Sequence, residues 1–220
     1  MSAEAVWESV YRRRDWGRYP AEELVRFVAR NYYAVPLRSS IRILDLGCGP
    51  GAGASWFVAR EGFGLCGIDS SPTAIAKARE RFTTEGLAGD FRVGAIDALP
   101  WPDGFFDAVI DSVCLAYSAE REAALAVAEI GRVMKAGGRH FSMTPKAGCW
   151  GDRGDSRVDD TTLLNVGEGP FAGFGLTRFA TLESLQALYS AFHDLEIEYS
   201  TRSGMSRAKE ISHWIVTCRK

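Results

Sequence analysis

Apolar runs of strand length alternate along this chain with stretches whose apolar residues recur at helical spacing, and that alternation predicts an α/β fold with a largely parallel sheet. Ala3 to Arg14 carries Val6, Trp7, Val10 and Tyr11 at helical spacing. Pro20 opens a second helix, with Glu22 and Glu23 in the first turn, where the helix dipole favours acids, and Leu24, Phe27, Val28 and Tyr32 on its apolar face. Ile41, Ile43, Leu44 and Leu46 read as a strand buried on both faces. A helix over 52–61, a strand over 64–69, a helix over 72–84 and a strand over 91–95 follow. A fourth strand spans 106–113, and Ser118 caps a helix running to about Lys135, with Leu125, Ala128, Ile130, Val133 and Met134 inward and Gly137-Gly138 as its stop. Strand 139–144, helix 181–192 and strands 195–202 and 211–218 complete the pattern.

The first strand runs straight into a turn holding Gly47, Gly49, Gly51 and Gly53. Removing four Cβ atoms from one short arc lets the backbone bend sharply and a ligand approach its amides closely. The second strand ends in Asp69, 20 positions after Gly49. A carboxylate there offers two acceptor oxygens to the vicinal hydroxyls of a ribose. The competing reading makes Asp69, Ser70 and Ser71 the cap of the helix that Pro72 begins. Gly47, Gly49 and Ala52 also satisfy the loose dinucleotide pattern, so these residues alone leave an NAD-binding oxidoreductase open.

Composition narrows the class. At 220 residues with 46% hydrophobic and 25% charged, the chain suits a single globular domain. A net charge of -2 supplies no overall basic field for nucleic acid or a membrane surface, and no run approaches the roughly 18 apolar residues of a span. Five scattered cysteines without a C-x-x-C pair indicate neither a zinc site nor a disulfide framework, so a cytoplasmic location with reduced thiols is expected.

The string LDLGCGPG, with Asp45 two places before the first glycine, resembles motif I of the class I S-adenosylmethionine (SAM) dependent methyltransferases. The segment VGAIDALPWPDGFFDAVID resembles a second stretch of the same family, with Ala95 where an acid is usual and Asp97 two places later. The resemblance covers 41–145 and implies a Rossmann-like sheet of seven strands, mostly parallel, with the last strand antiparallel and helices on both faces. It also implies SAM as cofactor and S-adenosylhomocysteine as product; the Asp-Asn pair that metal-dependent members carry after the fourth strand is not seen here, so no metal is expected. The cofactor-facing positions it implies are Asp45, Gly47, Cys48, Gly49, Gly51, Asp69, Ser70, Ala95, Ile96 and Asp111.

Residues 1–38 are then a helical cap, with Tyr11, Trp16, Arg18 and Tyr19 either covering the ligand or packing on the sheet. Residues 146–180, rich in glycine, aspartate and threonine, form a substrate lid within the same domain, part of it a short hairpin. Tyr19, Ser112, Trp150, Phe174 and Arg178 are the candidate acceptor-binding residues, with Phe171 beside them; Asp159 and Asp160 read as solvated. Tyr117 either orients the nucleophile or packs at a helix start. His140 opens the fifth strand and His193 precedes the sixth, each about 15 Å from the active end. His213 begins a reversed strand and is the histidine to consider as a base, against a packed strand histidine. The expected activity is methyl transfer to an oxygen or nitrogen of a small-molecule acceptor, with oligomeric state open. The alternatives are a silent methyltransferase-like regulator and the NAD enzyme.

Overall fold

In the computed structural model, which describes residues 3–14, 16–154 and 156–220, five strands run parallel: β1 (Arg42–Leu46), β2 (Gly64–Asp69), β3 (Asp90–Val93), β4 (Phe106–Ser112) and β5 (Met134–Pro145). Met1, Ser2, Asp15 and Asp155, which fall within the expected cap and lid, lie outside the described residues. The 146–180 insertion contributes a hairpin, β6 (Thr162–Leu164) and β7 (Leu176–Arg178). The chain then closes with β8 (His193–Gly204) and β9 (Lys209–Arg219). Strand order in the main sheet is β3-β2-β1-β4-β5-β9-β8, with β9 antiparallel to both neighbours, as the family resemblance implies.

Period-two alternation divides the core between the two faces of this sheet. Ile43, Ala108 and Ile215 face one layer with Leu24, Phe27 and Val28 of α2 (Glu22–Tyr32), Val58 of α3 (Ala54–Arg60) and Ile75 and Phe82 of α4 (Pro72–Glu85). Their neighbours Leu44, Val109 and Val216 face the other, with Ile130 of α5 (Glu120–Val133) and Leu185 of α6 (Leu182–Leu188). Because both faces are covered, β1 is buried from Ile43 through Leu46. A smaller cluster of Cys149, Leu163, Val166, Phe171 and Phe179 gives the insertion its own core.

Most element boundaries match the sequence pattern; α5 does not. It packs through Ala123, Ala126, Val127, Ile130 and Val133, leaving Leu125 47% exposed and Ala128 on the solvent side. Two small alanines settle the helix onto the sheet at spacing i, i+3, i+4, i+7, a phase that turns Leu125 outward. Ser118 does not cap it, because its hydroxyl donates to the Leu115 carbonyl. The cap comes from the insertion: Asp159 accepts from the Glu120 N–H at 2.9 Å and from the Thr161 and Thr162 N–H groups at 3.0 and 2.7 Å. Burial opposes ionisation of Asp159, yet these donors hold its pKa below the usual value, so it is an anchored carboxylate, not a solvated one. The strand after α5 begins at Met134, so Gly137 and Gly138 lie within β5 and do not stop the helix.

Order reverses between β1 and β4, whose neighbours β2 and β5 lie on opposite sides. In open α/β sheets that switch point, at the carboxyl ends of the strands, is where the crevice forms.

Candidate active site

At the end of β1 the turn is fixed by what crowds it. Gly47 has φ +65°, and a Cβ there would stand 2.2 Å from the Cys114 sulfur in the loop after β4. Gly49, at φ +52°, would place a Cβ 2.8 Å from the hydroxyl of Tyr11 on α1 (Ala3–Arg13). The Gly49 N–H donates to Asp69 Oδ2 at 2.9 Å, and Asp69 Oδ1 accepts from the Ser71 N–H at 2.9 Å. One carboxylate thus pins the turn after β1 to the turn after β2. Burial raises the pKa of Asp69, and those two N–H donors temper the rise. Ser71 caps α4 by accepting from the Ala74 N–H, so within 69–71 the cap is made by Ser71 and not by Asp69.

Around this junction lies a cavity of about 580 Å³, within the range of small-molecule sites. Asp45, Gly47, Cys48, Gly49, Asp69, Ser70, Ala95, Ile96 and Asp97 line it from the sheet side, together with Ser112 at the end of β4 and Tyr117 beyond it. Tyr11, Trp16 and Tyr19 line it from the N-terminal segment and Phe171 from the insertion. Buried Asp45 accepts from the Ser55 hydroxyl, and burial pushes its pKa up to about 7. Burial also raises the phenol of Tyr117, which stays protonated at neutral pH.

Six expected site residues stand elsewhere. Gly51 faces α4, where its missing Cβ admits Ala78 at 3.0 Å and Phe82 at 3.2 Å, so it serves packing. Asp111 is wholly buried: Oδ1 accepts from the N–H groups of Cys114 and Leu115 at 2.7 and 3.1 Å, and Oδ2 from the Ser142 hydroxyl at 2.6 Å. It shapes the loop after β4, where Val113 takes φ 71°, a strained value for a β-branched residue, and lines the cavity. Trp150 packs against Gly169 and below Lys209 and does not line the cavity. Arg178 is buried in β7, its charge tempering the raised pKa of Asp111 rather than meeting the cavity. Phe174 stacks on Trp7 at 5.1 Å and meets Tyr117 edge-on at 5.7 Å, bracing the wall from behind. His213 pairs with Pro145 at the active end of the sheet, but its ring packs against Phe171 at 5.7 Å and does not line the cavity. Its pKa is lowered by burial, with Arg202 adding to the effect. His140 does not open its strand as expected: β5 begins six residues earlier, and His140 is buried in mid-strand with Nδ1 3.0 Å from the Val109 carbonyl.

Sequence reasoning missed the device that holds the roof. Glu8 of α1 accepts from the Ser71 hydroxyl, from Thr73 Oγ1 at 2.6 Å and from the Thr73 N–H at 3.2 Å. The Ser71 and Thr73 hydroxyls lower its pKa to about 2. The N-terminal segment also takes one donor of the glycine turn, since the Gly53 N–H donates to the Arg18 carbonyl at 3.1 Å. No local pattern could reveal Glu8, whose partners lie 63 and 65 positions away.

A glycine turn, a carboxylate after the second strand and a roofed cavity at the switch point define an α/β protein built for a nucleoside-bearing cofactor. A family described as "Methyltransferase domain" matches residues 43–138, the span from β1 into β5, and over that span the chain is similar to SAM-dependent methyltransferases. The match is to methyltransferases and so favours SAM over NAD as the nucleotide for this turn. Methyltransferase GfsG of Streptomyces halstedii is 29% identical over 121 residues, 54% of this chain and 43% of that protein. A ubiquinone biosynthesis O-methyltransferase of Methylocella silvestris is 38% identical over 86 residues, 39% of this chain and 33% of that protein. The chain therefore matches less than half the length of these relatives. A SAM-dependent methyltransferase from Methanosarcina mazei shares the fold, with TM-score 0.71 and 21% identity over 93% of this chain and 99% of that one. Among the described residues no helix is long and apolar enough to cross a membrane, and no group of three or more His, Cys, Asp or Glu residues is placed to hold a metal.

Proposed function

We propose that this chain transfers the methyl group of SAM to an oxygen or nitrogen of a small molecule, releasing S-adenosylhomocysteine. The observation that carries the reading is the Gly49 to Asp69 hydrogen bond at 2.9 Å, which sets a two-oxygen acceptor beside a glycine turn stripped of side chains in the cavity wall. When bound, SAM supplies the methyl group already activated on a sulfonium.

The chain's own residues bind, orient and exclude water. Each oxygen of Asp69 spends one lone pair on a backbone N–H and keeps another for a ribose hydroxyl. Ala95 and Ile96, just beyond β3, offer backbone to the adenine edge in place of the missing acid. Tyr117, protonated, donates through its phenol to hold the acceptor, with Ser112 beside it. In-line displacement needs the nucleophile about 3 to 3.5 Å from the methyl carbon, so positioning dominates and a general base serves only a protonated nucleophile.

Residues 1–38 serve as the cap and 146–180 as the lid of this single domain, the lid acting mainly through Phe171 and through the brace that Phe174 gives Trp7. Calorimetric titration with SAM, S-adenosylhomocysteine and NAD tests the reading. Binding of both adenosyl ligands and not NAD is expected; NAD binding without SAM binding overturns it.

A further inference from the structure

The cavity lining has a one-sided charge. The chain holds 26 lysines and arginines and 3 histidines, yet among the described residues lining the cavity none is lysine, arginine or histidine. Five carboxylates line it: Glu4, Asp45, Asp69, Asp97 and Glu122. Asp45 and Asp69 stand buried at the glycine turn, whereas Glu4 and Glu122 are exposed at the first turns of α1 and α5.

Between these two ends the wall is aromatic. Trp7 is three residues after Glu4 on α1, hence on the same helix face. Its ring lies 4.6 Å from Tyr117, 5.5 Å from Tyr11 and 6.1 Å from Trp16, and all four rings line the cavity. Burial keeps the phenols of Tyr11 and Tyr117 protonated, so they add π-faces without adding charge. Aromatic faces with carboxylates nearby attract cations, most of all alkylated ammonium groups. An acceptor bearing a carboxylate or phosphate would meet no fixed positive charge here and several negative ones, an arrangement that discriminates against it.

Resting on the methyltransferase reading above, we infer that the acceptor is an amine on an apolar body, free of anionic groups, and that Trp7, Trp16 and Tyr117 with Glu4 and Glu122 select it by its positive charge. The charge count agrees with the chemistry. The ammonium that binds first gives up one proton to solvent, and the lone pair of the resulting neutral nitrogen forms the new N–C bond as the methyl group's bond to sulfur breaks. The breaking bond's pair stays on sulfur, so once that proton has left the positive charge simply passes from sulfur to nitrogen. Any proton on the new ammonium leaves to solvent.

The test is binding, not turnover. Protein saturated with S-adenosylhomocysteine is titrated calorimetrically with three compounds of nearly the same shape: choline, its uncharged carbon isostere 3,3-dimethylbutanol, and the anion 3,3-dimethylbutyrate. The inference predicts choline binding about tenfold or more tighter than the alcohol, and no measurable binding of the anion. Glu4→Gln with Glu122→Gln, both at exposed positions, should reduce the choline preference several-fold while leaving the alcohol unchanged. Equal affinity for cation and alcohol, preference for the anion, or no binding of any of the three overturns it. The S-adenosylhomocysteine titration that precedes these runs reports separately on the cofactor, so loss of that binding marks failure of the methyltransferase reading instead.

Discussion

Glu8 in the first helix and Thr73 in the first turn of α4 are joined by two hydrogen bonds, from Oγ1 at 2.6 Å and from the backbone N–H at 3.2 Å. The contact sets a negative charge at the positive end of a 14-residue helix and fastens the roof of the cavity to the floor beneath it.

Replacing Glu8 with alanine should undock α1 by about 1 to 3 kcal/mol, the usual worth of hydrogen bonds to a charged group. Trp7 and Trp16 would then become more accessible to a fluorescence quencher, and S-adenosylhomocysteine would dissociate faster. The same loss occurs with acid. A carboxylate whose folded pKa is depressed stabilises above its ordinary value of 4.5, and the contribution disappears as pH falls toward about 2. Unchanged quenching in the variant would show that the roof stays shut without Glu8.

Asp69→Asn keeps one acceptor oxygen and gives up the other. SAM affinity should fall by about 1 to 3 kcal/mol, with the circular dichroism spectrum unchanged. Calorimetry on the purified variant decides it, and wild-type affinity would remove the ribose role.

Two buried carboxylates oppose the pH trend of Glu8. Burial raises Asp45 to about 7 and Asp111 to about 6, from an ordinary value of 3.8. A raised carboxylate stabilises the fold fully below its unfolded pKa and loses that contribution as pH rises through the folded value. The ligand-free protein should therefore resist urea better at pH 5 than at pH 8. A midpoint that rises over that interval would contradict the burial of these groups.

Tyr117→Phe should leave S-adenosylhomocysteine binding intact and change turnover, whereas His213→Gln should leave the pH profile of turnover unaltered. The first side chain lines the cavity and the second stands behind Phe171. A shifted profile in the His213 variant would place that ring in the reaction after all.

What was legible in the sequence was local. The β1 turn announces itself because glycines stand where a neighbour's atoms would collide with a Cβ, and the Gly64 to Asp69 strand and the Ser71-Pro72 cap are read from adjacent residues. Asp111 was misread because a carboxylate at the active edge can serve backbone donors as well as a ligand, and only the fold places Ser142 and the Cys114 N–H beside it. Gly51 fails for a like reason, since its tight neighbour is Ala78, 27 residues on, and not a ligand. Leu125 illustrates the limit of periodicity: two phases of α5 offered apolar stripes, and the smaller side chains won the sheet because they let the helix come closer.

The stacking of Trp7 on Phe174 joins two segments more than 160 positions apart, one before the first strand and one after the fifth. Neither wall is finished without the other's ring. A chimaera that imported the amino-terminal helix alone, or the insertion alone, from a relative would leave a half-stack open to water. Specificity in this scaffold should therefore be transplanted, and inherited, as a matched pair.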